Sequence, residues 1–448
     1  MSSWSDGDPD LSPSQIIALS FAGLIAVGTL LLALPISHGA ERVGILDAAF
    51  TATSAVCVTG LIVVDTGTAF SGFGQIVIAT LFQLGGLGLL TFGTFLALAT
   101  GRRLGYGERL RLQQQVSATE IGGLVGLIRS IGSIVLITEL IGALLLYTRF
   151  VETEGVGRGA WFSLFHSISA FNNAGFSLYP DSLVRYVGDP IVNATVIGLI
   201  IAGGLGFIVF ANLDHSIRGP KRVTLTLHTK MTLRITVFLL ASGTVAIMVF
   251  EWSNPATLAD MSLGSRLLAS VFQSTTARTA GFNTLDYAEM NPATLLLTML
   301  LMFIGGNPGS TAGGIKTITF YVLVVSIWSV IRGRGDAVVF GRRLPTATVV
   351  RAGAISFGAV MIGGAALTLL AFIEPDIPFL PLMFETVSAL GTVGLSMGAT
   401  GELSSAGKCV IILLMYLGRI GFLTFALALV ERQRSARHSY LAEEVVIG

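Results

Sequence analysis

The sequence predicts an all-α integral membrane protein: four covalently linked helix, pore-loop, helix repeats, eight spans in all, around one pseudo-fourfold pore. Three observations predict it. Hydrophobic residues make up 52% of the 448 and charged residues 12%, with a mean hydropathy of +0.79, outside the usual range of a soluble domain. Nearly charge-free stretches such as 15–35, 74–99 and 294–304 recur along the chain, and a crossing needs about 20 apolar residues. One short pattern also returns four times at a nearly constant interval, the mark of an internally duplicated fold.

The copies are Ser-Ala-Val-Cys-Val-Thr-Gly-Leu ending at Leu61, Ser-Ala-Phe-Asn-Asn-Ala-Gly-Phe ending at Phe176, Thr-Thr-Ala-Arg-Thr-Ala-Gly-Phe ending at Phe282 and Ser-Ala-Leu-Gly-Thr-Val-Gly-Leu ending at Leu395. Their glycines, Gly60, Gly175, Gly281 and Gly394, stand 115, 106 and 113 residues apart. Around each copy the order is a long apolar span, a short amphipathic run, the glycine pattern, a polar external stretch and a second apolar span. Runs such as 161–171 and 379–390 are too short to cross and read as half-helices that enter from outside and turn back. Non-helical backbone at membrane depth is tolerated only when buried in protein or facing water. The four loops are therefore expected to meet around one axis.

The second spans repeat as well. Gly85-Gly86-Leu87-Gly88, Gly203-Gly204-Leu205-Gly206 and Gly418-Arg419-Ile420-Gly421 follow their pattern glycines at similar offsets, and Gly305-Gly306 opens the third copy. Small residues let inner helices approach closely, which is the expected use of these glycines.

Basic residues gather in every second connection: Arg102, Arg103, Arg109, Arg111 and Arg129; Arg218, Lys221, Arg222, Lys230 and Arg234; Arg332, Arg334, Arg342, Arg343 and Arg351; with Arg432, Arg434 and Arg437 in the tail. The positive-inside rule makes these connections and both termini cytoplasmic, in the cell membrane. The division that follows is a tail over 1–14, repeat 1 over 15–100, a cytoplasmic loop over 101–126, repeat 2 over 127–212, a loop over 213–230, repeat 3 over 231–331, a loop over 332–346, repeat 4 over 347–430 and a tail over 431–448. The other connections hold Asp65, Glu152, Glu154, Asp181, Asp189, Glu251, Asp260, Asp286, Glu289, Glu374, Asp376 and Glu402, so the outer mouth is expected to attract cations. The first apolar run reads as a span and not as a cleavable signal, because the preceding tail carries Asp6, Asp8 and Asp10 and no basic residue. Two cysteines, Cys57 and Cys409, exclude a disulfide framework and read as free, packed thiols.

A cation leaving water needs oxygen ligands, and rings of backbone carbonyls can replace its hydration shell. Aiming successive carbonyls inward takes backbone conformations that a Cβ obstructs and glycine allows. The expected filter segments are Cys57, Val58, Thr59 and Gly60; Asn172, Asn173, Ala174 and Gly175; Arg278, Thr279, Ala280 and Gly281; and Gly391, Thr392, Val393 and Gly394. Their dissimilar side chains suit ligation by backbone. The absence of carboxylates disfavours a divalent cation, and a monovalent cation, K+, is the expected ion.

The second apolar segment of repeat 3, 292–331, is too long for one ordinary span and is interrupted by Gly305, Gly306, Asn307, Pro308, Gly309, Ser310, Thr311, Ala312, Gly313 and Gly314. Pro308 alone costs about 3 kcal/mol relative to alanine in a helix interior, so a broken helix follows. A polar loop at mid-depth suits a gate or a substrate site, since either lines a water-filled path. The loop is superficially similar to a nucleotide-binding P-loop, but Ile315 separates Gly314 from Lys316 and no strand precedes it; no nucleotide is expected on this chain. Arg419 lies among Leu417, Ile420 and Phe422. A charge at a span's centre costs about 2.5 to 3.5 kcal/mol and should face water or a partner, with Glu139 and the carbonyls of the 305–314 loop as the candidates. Lys316 is expected to snorkel towards cytoplasmic water, Cys57 to pack, and His166 and Asn172 to pack or hydrogen-bond.

Taken together, Leu-Ser-Pro-Ser-Gln from Leu11, the four glycine loops, Gly-Gly-Asn-Pro-Gly-Ser-Thr-Ala-Gly-Gly-Ile-Lys-Thr from Gly305 and the closing Val-Val-Ile-Gly resemble the Trk/Ktr/HKT superfamily of K+ transport proteins, and within it the membrane subunits of bacterial Ktr systems. The resemblance covers nearly the whole chain. It implies one K+ filter per subunit carried by the four glycines, with Gly60 favouring K+ where some Na+-selective plant relatives have serine. It also implies a gating loop at 305–314, a pore arginine at Arg419, and a third-repeat arginine, Arg278, that braces the pore helices from behind. A homodimer docked on a cytosolic nucleotide-binding ring is implied too, while Na+ activation is left open. The main rival reading is a cation- or proton-coupled secondary transporter using the broken helix as its substrate site, with Glu139 carrying protons. Transporters of that kind show two related halves, whereas four quarters recur here. No enzymatic set of acid, base, nucleophile or metal ligands is present, and no nucleic-acid partner is expected.

Overall fold

The computed structural model describes residues 13–40, 42–88, 124–218, 225–333 and 335–421. Each glycine pattern sits between a long helix, a short one and a second apolar helix. In repeat 1 these are α1 (Pro13–Leu32), α2 (Ile45–Val56) and α3 (Gly72–Leu87). Repeat 2 runs its first two together in α4 (Leu124–Asn172), interrupted only at Gly155 with φ 76° and ψ 177°, and continues with α5 (Pro190–Leu205) and α6 (Phe207–Arg218). Repeat 3 has α7 (Leu227–Phe250), α8 (Leu263–Thr276), α9 (Pro292–Phe303) and α10 (Thr317–Ile331). Repeat 4 has α11 (Thr346–Ile373), α12 (Phe379–Gly391) and α13 (Ser405–Ile420). A two-residue hairpin, Val338–Val339 against Arg342–Arg343, interrupts the all-helical plan in the connection before α11.

Local chemistry fixes where the second helices start. Ser71, Asp189 and Ser404 cap α3, α5 and α13 by accepting backbone N–H bonds from the first turn, which removes orphan donors at the helix start. Their ends are equally alike. The residues closing them are Gly88 (φ 79°, ψ 133°), Gly206 (φ 93°, ψ 138°) and Gly421 (φ 87°, ψ 131°), a region of backbone space open almost only to glycine. Beyond Gly206 the chain turns by 93° into α6. The sequence reading placed a break in repeat 3 alone and assigned these glycines to close packing. Gly85, Gly203 and Gly418 do pack closely: a Cβ on any of them would overlap the carbonyl oxygens of Val56, Phe171 and Leu390 respectively, at the ends of the short helices. The last glycine of each motif instead ends the helix.

Among the described residues, four helices (14–32, 131–172, 227–250 and 346–373) are long and apolar enough to cross a membrane, and α5 with α6 form a bent fifth. Their outer faces are apolar and open, as at Leu140, Phe238, Phe357 and Phe372, which is what a lipid solvent requires of a helix exterior. The short helices fill the interior. Phe82, Phe165 and Phe176 cluster there with centroids 5.4 and 6.1 Å apart.

Three expectations are corrected. Glu251 and Glu374 are buried and not exposed at the mouth. Glu251 accepts from Asn254 and Thr257 at 2.7 Å, from the Asn291 amide at 2.9 Å and from Thr294; Glu374 accepts from the Ser404 amide and hydroxyl at 2.9 and 2.6 Å. Each thus ties the end of a first helix to the start of a second, where orphan N–H groups attract a carboxylate. Cys57 is packed, but Cys409 is exposed on α13. The tail over 1–12, residues 89–123 with Arg102 to Arg111, Lys221, Arg222, Arg334, and everything from Phe422 to the closing Val-Val-Ile-Gly lie outside the described residues.

Candidate ion-conducting site

The four short helices point their C-termini at one another, and each ends in the same way. The residue two before the pattern glycine is left-handed in every copy: Val58 (φ 57°), Asn173 (57°), Thr279 (78°) and Thr392 (49°). Each glycine has positive φ again, 92° at Gly60, 70° at Gly175, 80° at Gly281 and 90° at Gly394. In three copies the intervening amide bonds back to the sixth residue before the glycine: Thr59 to Ser54 at 2.8 Å, Ala174 to Ser169 at 2.8 Å and Val393 to Ser388 at 2.9 Å. This is the six-to-one bond of a Schellman helix end. Repeat 3 uses a tighter bond, Ala280 to Thr276 at 2.9 Å. Three of the left-handed residues are β-branched, where such backbone costs on the order of 1–3 kcal/mol.

The glycines form a closed ring. A Cβ on Gly60 would stand 2.6 Å from the Ala174 carbonyl oxygen, on Gly175 3.0 Å from that of Ala280, and on Gly281 2.5 Å from that of Val393; on Gly394 it would overlap that of Thr59. Each glycine therefore faces the carbonyl preceding the next glycine, and the order 1, 2, 3, 4 returns to 1. The structure brings all four expected segments together. Three of their side chains reach other segments. Asn172 reaches Gln83 at 2.5 Å and Glu139 at 3.3 Å, Asn173 reaches Thr311 at 2.9 Å, and Arg278 reaches Thr317 at 3.0 Å. Arg278 thus ties its segment to the start of α10, beyond the broken stretch.

That stretch, between α9 and α10, lies directly against the ring. Its N-terminal end is closed by the Gly305 amide on the Ile315 carbonyl at 2.7 Å and by Thr317 on the Gly305 carbonyl at 2.6 Å. The amides of Asn307 and Thr311 bond to Gly204 at 3.1 Å and Gly203 at 3.2 Å, and the Phe207 amide takes the Gly309 carbonyl at 2.8 Å. The loop thereby uses backbone groups freed by the helix break at Gly206. Thr311 also donates to the Phe171 carbonyl at 3.1 Å, and a Cβ on Gly313 would overlap Thr392 Oγ1. Lys316 does not snorkel: its Nζ folds back to the Ala312 carbonyl at 2.7 Å, where the loop offers an acceptor that lipid would not.

Arg419 faces the same loop from repeat 4. It donates to the Thr311 carbonyl at 2.5 Å and to the Gly85 and Gly86 carbonyls at 2.5 and 3.1 Å. Of its two candidate partners the loop carbonyls are the ones engaged; Glu139 is instead bonded to Asn172. Helix-end carbonyls near Gly85 have no intrahelical donor, which makes them natural acceptors for a guanidinium. Sequence reading missed this second partner and the amide of Asn173. The signal for the latter was present, a polar amide in the left-handed slot of one copy.

The TrkH cation transport protein family model matches residues 12–438. The chain belongs to that family. It is 44% identical over 427 residues to the Ktr system potassium uptake protein B of Bacillus subtilis, with 95% of this chain and 94% of that one covered. It is also 39% identical to the potassium/sodium uptake protein NtpJ of Enterococcus hirae, with 98% of each covered. The crystal structure of the potassium transporter TrkH from Vibrio parahaemolyticus has the same fold, with a TM-score of 0.76, 19% identity, and coverage of 95% of this chain and 87% of that one. As in the rest of the family, the protein is a membrane transport protein and not an enzyme.

Proposed function

We propose that this protein carries K+ into the cell through the glycine ring, with the 305–314 loop and Arg419 as the gate below it. The observation that carries the reading is the closed cycle of four glycines, each against the carbonyl of the next repeat. Such a ring supplies backbone oxygens from all sides of one axis and no fixed negative charge, which suits a monovalent cation. Relatives named for potassium uptake, and one for potassium and sodium, support K+ as cargo and admit Na+ as an activator. The filter comprises 57–60, 172–175, 278–281 and 391–394, and the gate comprises 305–314, Lys316 and Arg419.

On this reading the eight-span division set out from the sequence holds, with both termini in the cytoplasm and the chain in the cell membrane. It works as a homodimer on a cytosolic nucleotide-binding ring and binds no nucleotide itself. Voltage alone suffices as driving force: one charge is worth about 2.3 kcal/mol per 100 mV, roughly fiftyfold accumulation. The test is flux in liposomes containing the purified protein alone under an imposed negative-inside potential. Uptake of K+ and Rb+ in preference to Na+, without proton movement, is expected. Proton movement in fixed ratio to K+ would instead support a coupled transporter.

A further inference from the structure

Nine residues before the pattern glycines, the short helices carry Thr51, His166, Phe272 and Glu385, all buried. Two of the four are ionisable side chains inside the protein, and both make the same contact. His166 Nε2 is 3.0 Å from Ser177 Oγ, and Ser396 Oγ donates to Glu385. Ser177 and Ser396 each stand two residues beyond their glycine, and each accepts the amide of the residue two further on, Tyr179 at 2.9 Å and Gly398 at 2.9 Å. The other repeats have Ile62 and Asn283 at this place and lack the contact. Since the ring runs in chain order, repeats 2 and 4 lie diagonally across it.

Hydrogen-bond roles are fixed by the neighbours. His166 Nδ1 lies 2.7 Å from the Phe162 carbonyl, which only accepts, so Nδ1 carries the proton and Nε2 is an acceptor. Nε2 is then free to take the Ser177 hydroxyl and the Leu178 amide at 3.4 Å. At the other corner the Glu385 carboxyl takes the Ser396 hydroxyl, and Ser396 Oγ in turn accepts from the Thr400 hydroxyl at 3.1 Å. Each buried acceptor thus holds the strand leaving the glycine against the helix that delivers it.

We propose that His166 and Glu385 are positioning residues for ion selection: through Ser177 and Ser396 they fix the outer end of the filter on one diagonal of the ring, whereas on the other diagonal repeat 3 holds its strand through neutral groups, Thr276 on the Phe282 carbonyl at 2.6 Å and the Asn283 amide on Ser182 at 3.2 Å. This rests on the filter reading above. Losing the acceptor costs the equivalent of about one hydrogen bond, and the strand it held is then free to move relative to the glycine carbonyl.

The experiment measures K+ over Na+ selectivity and apparent K+ affinity of purified variants in liposomes. Ser396→Ala and Glu385→Leu should each lower selectivity by about three- to tenfold, the worth of one such bond, and the double variant should lose no more than the worse single. Glu385→Gln, which keeps an acceptor oxygen, should restore most of it. At the second corner His166→Gln, with its amide oxygen near the Nε2 position, should retain selectivity that His166→Ala loses. Thr51→Ala, the equivalent place in repeat 1, should leave selectivity unchanged. Gly394→Ser separates the two ideas. If it shifts selectivity while Ser396→Ala and Glu385→Leu do not, or if the two losses simply add, the bracket is refuted with the filter standing. If none of the three shifts it, the filter reading falls as well.

Discussion

Arg419 and Thr311, 108 positions apart in sequence, are joined by a guanidinium-to-carbonyl bond of 2.5 Å. The same guanidinium holds the Gly85 carbonyl, so one side chain of repeat 4 links the end of repeat 1's second helix to the loop of repeat 3. On the proposed reading, Arg419→Gln removes a charge from the ion pathway and weakens both bonds. It should raise K+ flux several-fold without altering K+ over Na+ preference. Deleting part of 309–313 should do the same, and the two changes combined should give less than the sum of their free-energy effects. A correctly folded deletion with unchanged or lower flux would remove the gate assignment.

The four glycines proposed as the filter should differ in their tolerance of serine, in an order set by the space each leaves. Gly394 faces an overlapping carbonyl, Gly281 and Gly60 have 2.5 and 2.6 Å, and the nearest atom to Gly175 is at 2.9 Å. Serine at Gly394 should therefore impair K+ affinity and selectivity most, and at Gly175 least. Rb+ uptake titrated against Na+ in each variant gives the order. Equal effects at all four would mean that conformation, positive φ in each case, and not space, decides.

Much of this was legible from the chain. Glycine spacing located the ring, and the glycine and proline content of 305–314 located the broken helix, because both features restrict local backbone. What escaped were pairings between distant segments. Nothing local distinguishes Gly88 or Gly206 as helix ends from Gly85 or Gly203 as packing sites, since both uses need the same residue. Glu251 and Glu374 likewise looked like mouth charges, because their partners Asn291 and Ser404 are 40 and 30 positions away.

Those two carboxylates give a contrast with the exposed acids. Glu251→Ala leaves buried donors unmet and should destabilise the detergent-solubilised protein by about 2–4 kcal/mol, read as a lowered unfolding temperature, while flux per folded molecule changes little. Asp286→Asn with Glu289→Gln, both exposed, should do the reverse: stability holds, and K+ uptake at low ionic strength slows, with the difference vanishing as salt screens the mouth.

The eight-span division is tested by sidedness. With Cys57 and Cys409 replaced, single cysteines at Asp286 and at Arg343, in the hairpin before α11, should react with a membrane-impermeant thiol reagent from opposite sides of intact vesicles. Reaction from one side would overturn the assignment.

The last prediction concerns how the loop is tied to the ring. Asn173 is in the left-handed slot of repeat 2, and its amide donates to Thr311 Oγ1 at 2.9 Å while that hydroxyl donates to the Phe171 carbonyl at 3.1 Å. The Asn173 side chain, the Phe171 carbonyl just before that candidate filter segment and the loop against it therefore meet at a single hydroxyl. Thr311→Val keeps the shape and removes both bonds; Asn173→Ala removes one and also places alanine in a left-handed conformation that asparagine tolerates better. Each should raise flux by loosening the loop, but Asn173→Ala should in addition disturb selectivity, because the strained residue belongs to the proposed filter backbone. Asn173→Gly separates the two contributions. It removes the bond to Thr311 and accepts positive φ without strain, so it should match Thr311→Val in flux and in its preserved preference for K+. If Asn173→Gly loses selectivity as severely as Asn173→Ala, the amide itself, and not the backbone conformation, is what holds the filter.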